Sequence, residues 1–302
     1  MPTMKLPFAL ASILLVSFSA QASEIYVSPS GADSADGSKA HPVATLTAAR
    51  DLARKSGDAS SSIYLNAGTY RLSATFELNE KDTNLTFQPV KGAKVNITGG
   101  ATIPTSAVKV VKDKSILNRL PEESRGKVLV VDLAPYDIDM SGEYGPRGFR
   151  RSYRAADVEL FIDGKAMTLS RWPDKGEEAI KIGKVLDKGS RPRSRDYSNR
   201  GGTFTFDTDR PTRWTKAKDI WISGLFCFGY ADDTVKIKNI DLDKKTITTV
   251  QPHIYGFHSG RKWNTWYAIN LLEEISQPGE YYVDKEAKKL YFYRPENFKR
   301  SS

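Results

Sequence analysis

Cysteine occurs once in the 302 residues, at Cys227, so no intramolecular disulfide can form and stability has to come from packing. Histidine is nearly as scarce. His41, His253 and His258 are the only three, and without a His-Glu-x-x-His pair on a helix a zinc hydrolase is excluded. A Gly-x-Ser-x-Gly elbow is missing, which removes the common serine-hydrolase route. Gly31 to Lys39 has the wrong glycine spacing and Ser-Lys order for a phosphate loop. Asp33-Ser34-Ala35-Asp36-Gly37 lacks the later bidentate glutamate of a calcium loop and reads as a turn. No cofactor and no metal are therefore expected. Helix-turn-helix, zinc-finger and ribonucleoprotein motifs are absent too, so nucleic acid is not the expected partner.

Long apolar runs are also lacking. The one from Leu6 to Phe18 falls short of the roughly 20 residues that span a bilayer. Lys5 precedes it and Ala20-Gln21-Ala22 follows, the small-x-small form cut by a signal peptidase. Residues 1–22 are thus expected to be a signal peptide, the mature chain to start at Ser23, and the protein to be secreted or periplasmic with no membrane association after cleavage.

What is present suits a packed domain: 39% of residues are hydrophobic and 11% aromatic. Lys and Arg number 45 against 36 for Asp and Glu, a formal net charge of +9, and loss of the signal segment removes only Lys5. This basic excess fits an acidic polysaccharide, sulfated or uronic, and equally an ordinary basic surface.

From Glu24 to Gly100 the apolar residues alternate: Ile63 and Leu65, Phe76 and Leu78, Leu85 and Phe87, Val95 and Ile97. Period two predicts short strands. Turn-forming stretches separate them, at Asn66 to Thr69, Asn79 to Asp82 and Lys91 to Ala93. The Ile63 and Leu85 pairs lie 22 residues apart, the step of one coil in a parallel solenoid, although a β-sandwich has similar spacing. Ahead of them Thr45 can cap a helix through Leu46, Ala49, Leu52 and Ala53, which would close the end of such a solenoid. Beyond Gly100 hairpins are predicted from Val235 to Val250, reversing at Asp241 to Lys245, and from Glu280 to Tyr293, reversing at Lys285 to Lys288. A further turn falls at Asp163-Gly164. The arginine-rich stretch between Asp174 and Gly202 reads as a long exposed loop.

Tyr26-Val27-Ser28-Pro29-Ser30-Gly31, then Asp33, Gly37-Ser38, Pro42, Thr45-Leu46 and Ala49-Arg50-Asp51, resembles the opening of many secreted right-handed β-helix carbohydrate enzymes. Ile63-Tyr64-Leu65, Gly68-Thr69-Tyr70 and Ile97-Thr98-Gly99-Gly100 continue the likeness in order. Val158 to Gly164, Ser170-Arg171-Trp172-Pro173, Asn270 to Glu274, Pro278 to Asp284 and Leu290 to Tyr293 are similar to the inserted module of glycoside hydrolase family 141 and related β-helix proteins. The resemblance implies an all-β fold with the N-terminal cap and first coils of a right-handed parallel β-helix over 23–100, and an inserted β-rich module over 101–302. It also implies that the cutting acids sit on later coils. About one and a half coils cannot bury a solenoid core, which usually takes three or more repeats. The expectation is the N-terminal portion of a secreted polysaccharide-degrading glycoside hydrolase, fucosidase-like or xylanase-like, inactive as this isolated chain. A non-catalytic carbohydrate-binding module and part of a polysaccharide lyase are the alternatives.

Glycoside cleavage normally takes two convergent carboxyls. Asp232-Asp233 and Glu273-Glu274 are candidates by adjacency, but neighbours on a strand point to opposite faces, and structural ion pairs are the simpler reading. No catalytic residue is assigned. Tyr255, His258, Arg261 and Trp263, followed by Trp266 and Tyr267, group aromatic planes with polar heads. They offer one wall of a glycan cleft, or they seal the module's packing. Arg147, Arg150, Arg151 and Arg154 with Phe149 and Tyr153 either face an anionic glycan or form a solvated loop.

Overall fold

The computed structural model describes residues 22–57, 60–136, 138, 140, 144–152 and 158–298. The segment before Ala22, Tyr153, Arg154 and the terminus from Lys299 lie outside them. The chain divides into two compact units, 1–101 and 102–302. Among the described residues no helix is long and apolar enough to cross a membrane.

The first unit contains β1 (Ala22–Val27), helix α1 (Leu46–Ser56), β2 (Ser60–Leu65), β3 (Gly68–Arg71), β4 (Leu85–Pro89) and β5 (Val95–Thr98). Two parallel ladders result, β1-β2-β4 and β3-β5. Ile25 lies opposite Ile63 and Ile63 opposite Phe87, while Val27 meets Leu65. Alternation buries Ile25, Val27, Ile63 and Leu65 on one face and leaves Tyr26 stacked on Tyr64 at 5.2 Å on the other. Each fully buried aliphatic side chain contributes about 1.5–3 kcal/mol.

Helix α1 starts where the sequence predicts. Thr45 Oγ1 accepts the Ala48 N–H at 3.1 Å, and Asp33 fixes Thr45 in turn by accepting from the Ala44 and Thr45 N–H groups and from the Thr45 hydroxyl. The Asp33 loop is thus a turn braced by its own carboxylate. Leu46, Ala49 and Ala53 face the core, and Gly57 at φ 69° ends the helix. Arg54 forks onto Asp82 at 2.8 and 2.6 Å, joining α1 to the Glu80–Asp82 turn, and holds that carboxyl down at about 2.

Two details depart from expectation. The β2–β4 register pairs Ile63 with Phe87, 24 residues on, and places Leu85 opposite Ser61, so the step is longer than 22. Phe76 and Leu78 do not form a strand. Phe76 packs edge-on against Phe87 at 5.6 Å beneath the Arg50 guanidinium, and Leu78 is 52% exposed.

The second unit is built on two sheets. The larger runs in the order Arg171–Trp172, Thr265–Ile269, Trp221–Gly224, Asp233–Asp241, Thr246–Thr249, Thr203–Thr205, Val185–Asp187, antiparallel throughout. Arg147–Gly148 adds to the side of Asp233–Asp241, and Ile180–Lys181 to Thr265–Ile269. The smaller sheet orders Thr168–Leu169, Glu280–Asp284, Lys289–Tyr293, Val128–Asp132 and Lys109–Val110. Phe204, Ile222, Val235, Ile247, Phe257 and Trp266 form the heart of the larger sheet's core. Both predicted hairpins are present, and the Asp163-Gly164 turn joins Phe161–Ile162 to Lys165–Ala166. The stretch 174–202 is not a plain loop, since Ile180–Lys181 and Val185–Asp187 are strands of the larger sheet.

Candidate functional site

Three segments of the second unit converge on an aromatic surface. Asp232 and Asp233 follow the Phe226 to Ala231 loop, and Gly148 pairs with Asp233 while the Phe149 N–H donates to Asp232 O at 2.8 Å. Gly148 is required there: at φ 134° a Cβ would lie 2.5 Å from Asp232 O. The third segment, Pro252 to Phe257, is bound to the others by one cation. Arg151 forks onto Asp233 at 3.0 and 2.7 Å and donates to Pro252 O at 2.6 Å. Asp233 is 1% exposed, and burial outweighs the Arg151 fork to push its carboxyl up to about 6, so it remains ionised at neutral pH.

This knot sets four rings side by side. Phe228 and Tyr230 lie parallel, 5.6 Å apart with planes 2° from coplanar orientation. Tyr255 stands edge-on to Phe228 at 4.9 Å, and Phe149 edge-on to Tyr230 at 5.5 Å. The Tyr230 hydroxyl donates to that of Tyr255 at 3.4 Å. Tyr230 is 62% and Phe228 42% exposed, so the pair presents ring surface outward instead of filling the core. Beneath Tyr255 lies His253, fully buried against Phe226, with Nδ1 3.2 Å from Gly256 O; burial lowers its pKa to about 4 and keeps it neutral.

The four residues singled out from sequence take different places. Tyr255 belongs to the platform. Trp263 supports it from behind, its indole N–H donating to Cys227 O at 3.0 Å and its ring packing on Gly229. His258 is half-buried, its backbone N–H donating to Phe226 O at 2.7 Å; burial, then Lys188 and Arg191, lower its imidazole pKa. Arg261 is exposed, and its backbone is tied to Asn264, its N–H donating to Asn264 Oδ1 and its carbonyl accepting the Asn264 N–H at 3.0 Å. Trp266 is core, and Tyr267 carries the Arg171 guanidinium 3.7 Å above its ring. In the second grouping Arg151 is the knot, Arg147 covers Tyr144 at 4.3 Å, and Arg150 covers Phe149 at 6.0 Å.

The acidic candidates do not converge. Asp232 is exposed and Asp233 buried. Glu273 accepts from Arg119 at 2.7 Å, and Glu274 from Arg210 at 3.0 Å and from the Trp214 indole at 2.6 Å. These are buried structural pairs that fix the Leu271 to Ile275 segment. No group of three or more His, Cys, Asp or Glu able to hold a metal ion occurs among the described residues. Sequence reading missed Phe228 and Tyr230. Their signal is the run Phe226-Cys227-Phe228-Gly229-Tyr230, too aromatic for a loop and broken by a glycine that denies it a strand.

No family model matches the chain, and no curated protein matches it. Among solved structures, one named "Glycoside hydrolase" is similar over 93% of this chain, with a TM-score of 0.59 and 20% identity. The likeness is one of fold, and this chain spans 44% of that one. A structure of XylC in complex with xylose aligns over 86% of this chain and 33% of its own, at 14% identity and a TM-score of 0.24, too low to carry an argument.

Proposed function

We propose that this chain is the glycan-holding part of an exported carbohydrate-active protein of the glycoside hydrolase class, similar to family 141, with its first unit forming the capped start of a right-handed parallel β-helix. The parallel ladders closed by α1 support the architecture, as does the fold shared with a glycoside hydrolase. The observation that carries the functional reading is the outward pair Phe228 and Tyr230, braced by Tyr255 and Phe149. Sugar rings lay apolar C–H faces on such planes, while hydroxyls at the rim find polar partners. Fucosylated glycans and xylans are the substrate classes proposed for the whole protein. Asp233, Glu273 and Glu274 are held by arginines and are not offered as its cleaving acids.

Calorimetric titration of the chain with fucosylated oligosaccharides, xylan fragments and sulfated algal oligosaccharides tests this. Tyr230→Ala, exposed enough to leave folding intact, is expected to weaken binding by about 3–10-fold, the value of one aromatic contact. Equal affinity in wild type and variant would remove the platform from the reading.

A further inference from the structure

The platform has a charged border. Residues 188–193 lie along the turn segment that carries Tyr255: Lys188 O accepts the Phe257 N–H at 2.9 Å, and the Arg193 N–H donates to Ile254 O at 3.0 Å. Gly256, at φ 78°, lets them approach, since a Cβ there would meet Arg191 Cγ at 3.0 Å. Across the platform Arg150 stands over Phe149. The fields of these cations reach the site: the Tyr255 hydrogen bond raises the Tyr230 phenol and Arg193 opposes it, and Lys188 with Arg191 adds to the burial that depresses His258.

Four other arginines of the unit are spent on carboxylates. Arg119, Arg151, Arg200 and Arg210 hold Glu273, Asp233, Asp187 and Glu274. Lys188, Arg191, Arg193 and Arg150 form no ion pair among the described residues, and all four are exposed. The acids in the neighbouring sequence are few: Asp232 is exposed beside Phe149, and Asp196 is engaged by Ser198. Four unpaired cations bordering one exposed apolar patch give it a positive field that draws anions toward it.

We propose that the platform takes a negatively charged glycan, one bearing sulfate or carboxylate groups, with Lys188, Arg191, Arg193 and Arg150 gripping the anionic substituents while Phe228 and Tyr230 hold the sugar faces. The proposal rests on the glycan reading above and names the substrate class of that same site. Guanidinium forks match sulfate and carboxylate oxygens in pairs, whereas Lys188 acts as a point charge. A neutral xylan fragment would use the rings alone.

The test compares the full chain with oligosaccharides of equal length, one neutral, one sulfated and one uronic, and with a single-stranded oligonucleotide, which also combines aromatic stacking and phosphate charge. At low salt a charged glycan is expected to bind at least about tenfold tighter than the neutral one, and the advantage to shrink to about twofold at 1 M salt, where the screening length is about 3 Å. The sulfated and uronic arms identify which anion is preferred. Lys188→Ala, Arg191→Ala and Arg193→Ala combined is expected to lower the charged glycan to the level of the neutral one without shifting the melting temperature. Equal affinity for charged and neutral glycans, a preference that survives the triple variant, or tightest binding of the oligonucleotide each overturns the proposal. Failure to bind any glycan, or indifference to Tyr230→Ala, sinks the platform reading itself.

Discussion

Arg151 decides more of the site than any aromatic residue it positions. It satisfies Asp233, which is 1% exposed, and Pro252 O at once, so Phe149 and Tyr255 are brought together by a single guanidinium. Removing one partner of such a pair leaves a buried charge unanswered. Arg151→Leu is therefore expected to lose about 3–5 kcal/mol in urea unfolding, and Arg151→Leu with Asp233→Leu to recover a large share of it. No loss in the single variant would mean that Asp233 finds another donor or water. This residue also shows how far sequence carries. Tyr255 and Trp263 stand out as aromatic residues beside polar ones, but nothing in a linear reading says that Arg151 meets an aspartate 82 residues away. Phe228 and Tyr230 were hidden for a different reason: exposed and core aromatics look alike until the backbone around Gly229 decides which way each ring turns.

At the scale of elements, α1 illustrates the local rules at their strongest. Its apolar spacing, the Thr45 cap and the Gly57 stop all sit within the helix or one residue beyond it. Thr45→Ala is expected to cost about 1 kcal/mol, the usual value of a cap. Asp33→Ala should cost more, because that carboxylate accepts from two backbone N–H groups and the cap hydroxyl itself. A thermal melt of the two variants checks the order, and a larger loss from Thr45→Ala would contradict it. The hairpins Asp233–Thr249 and Glu280–Tyr293 were legible on the same grounds, since each strand pairs with its sequence neighbour. Ile180–Lys181 was not, because its partner is Thr265 to Trp266, far along the chain. The β2–β4 register failed at finer scale: alternation fixes which residues share a face, not which of two equivalent apolar pairs lies opposite.

For the molecule as a whole, the titrating groups divide by unit. In the first, Asp82 is held at about 2 against an ordinary 3.8, so its pairing with Arg54 stabilises the folded form above about pH 4 and is lost as pH falls through 2. In the second, burial raises Glu280 to about 7 from 4.5, with one carboxyl oxygen accepting from Ser276 and Gln277 and the other without a partner. Asp233 rises to about 6. Both bind protons more tightly folded than unfolded, so their contribution is complete below about pH 4 and is lost as pH climbs through 6 to 7. His253 opposes them: held neutral with a pKa near 4, it adds stability as pH rises from 4 to 6.5. Calorimetry from pH 2 to 8 is expected to show the first unit's transition falling below pH 4. The second unit's transition should weaken as pH rises from about 4 toward 7, with His253 offsetting only part of the loss and the last part of the decline due to Glu280. Glu280→Gln should flatten that upper decline, and parallel shifts of both transitions would contradict the assignment.

Cys227 gives the site an internal clock. Its thiol is buried beside Phe226 and Phe228, burial raises its pKa, and its carbonyl is held by Trp263 and Asn264. A thiol so placed meets an alkylating reagent only when the Phe226 to Tyr230 loop lifts off. As the chain has no second cysteine, the labelling rate of the native protein reads the opening frequency of the platform directly, and the slowing of that rate when a ligand is added measures how firmly the loop is held shut.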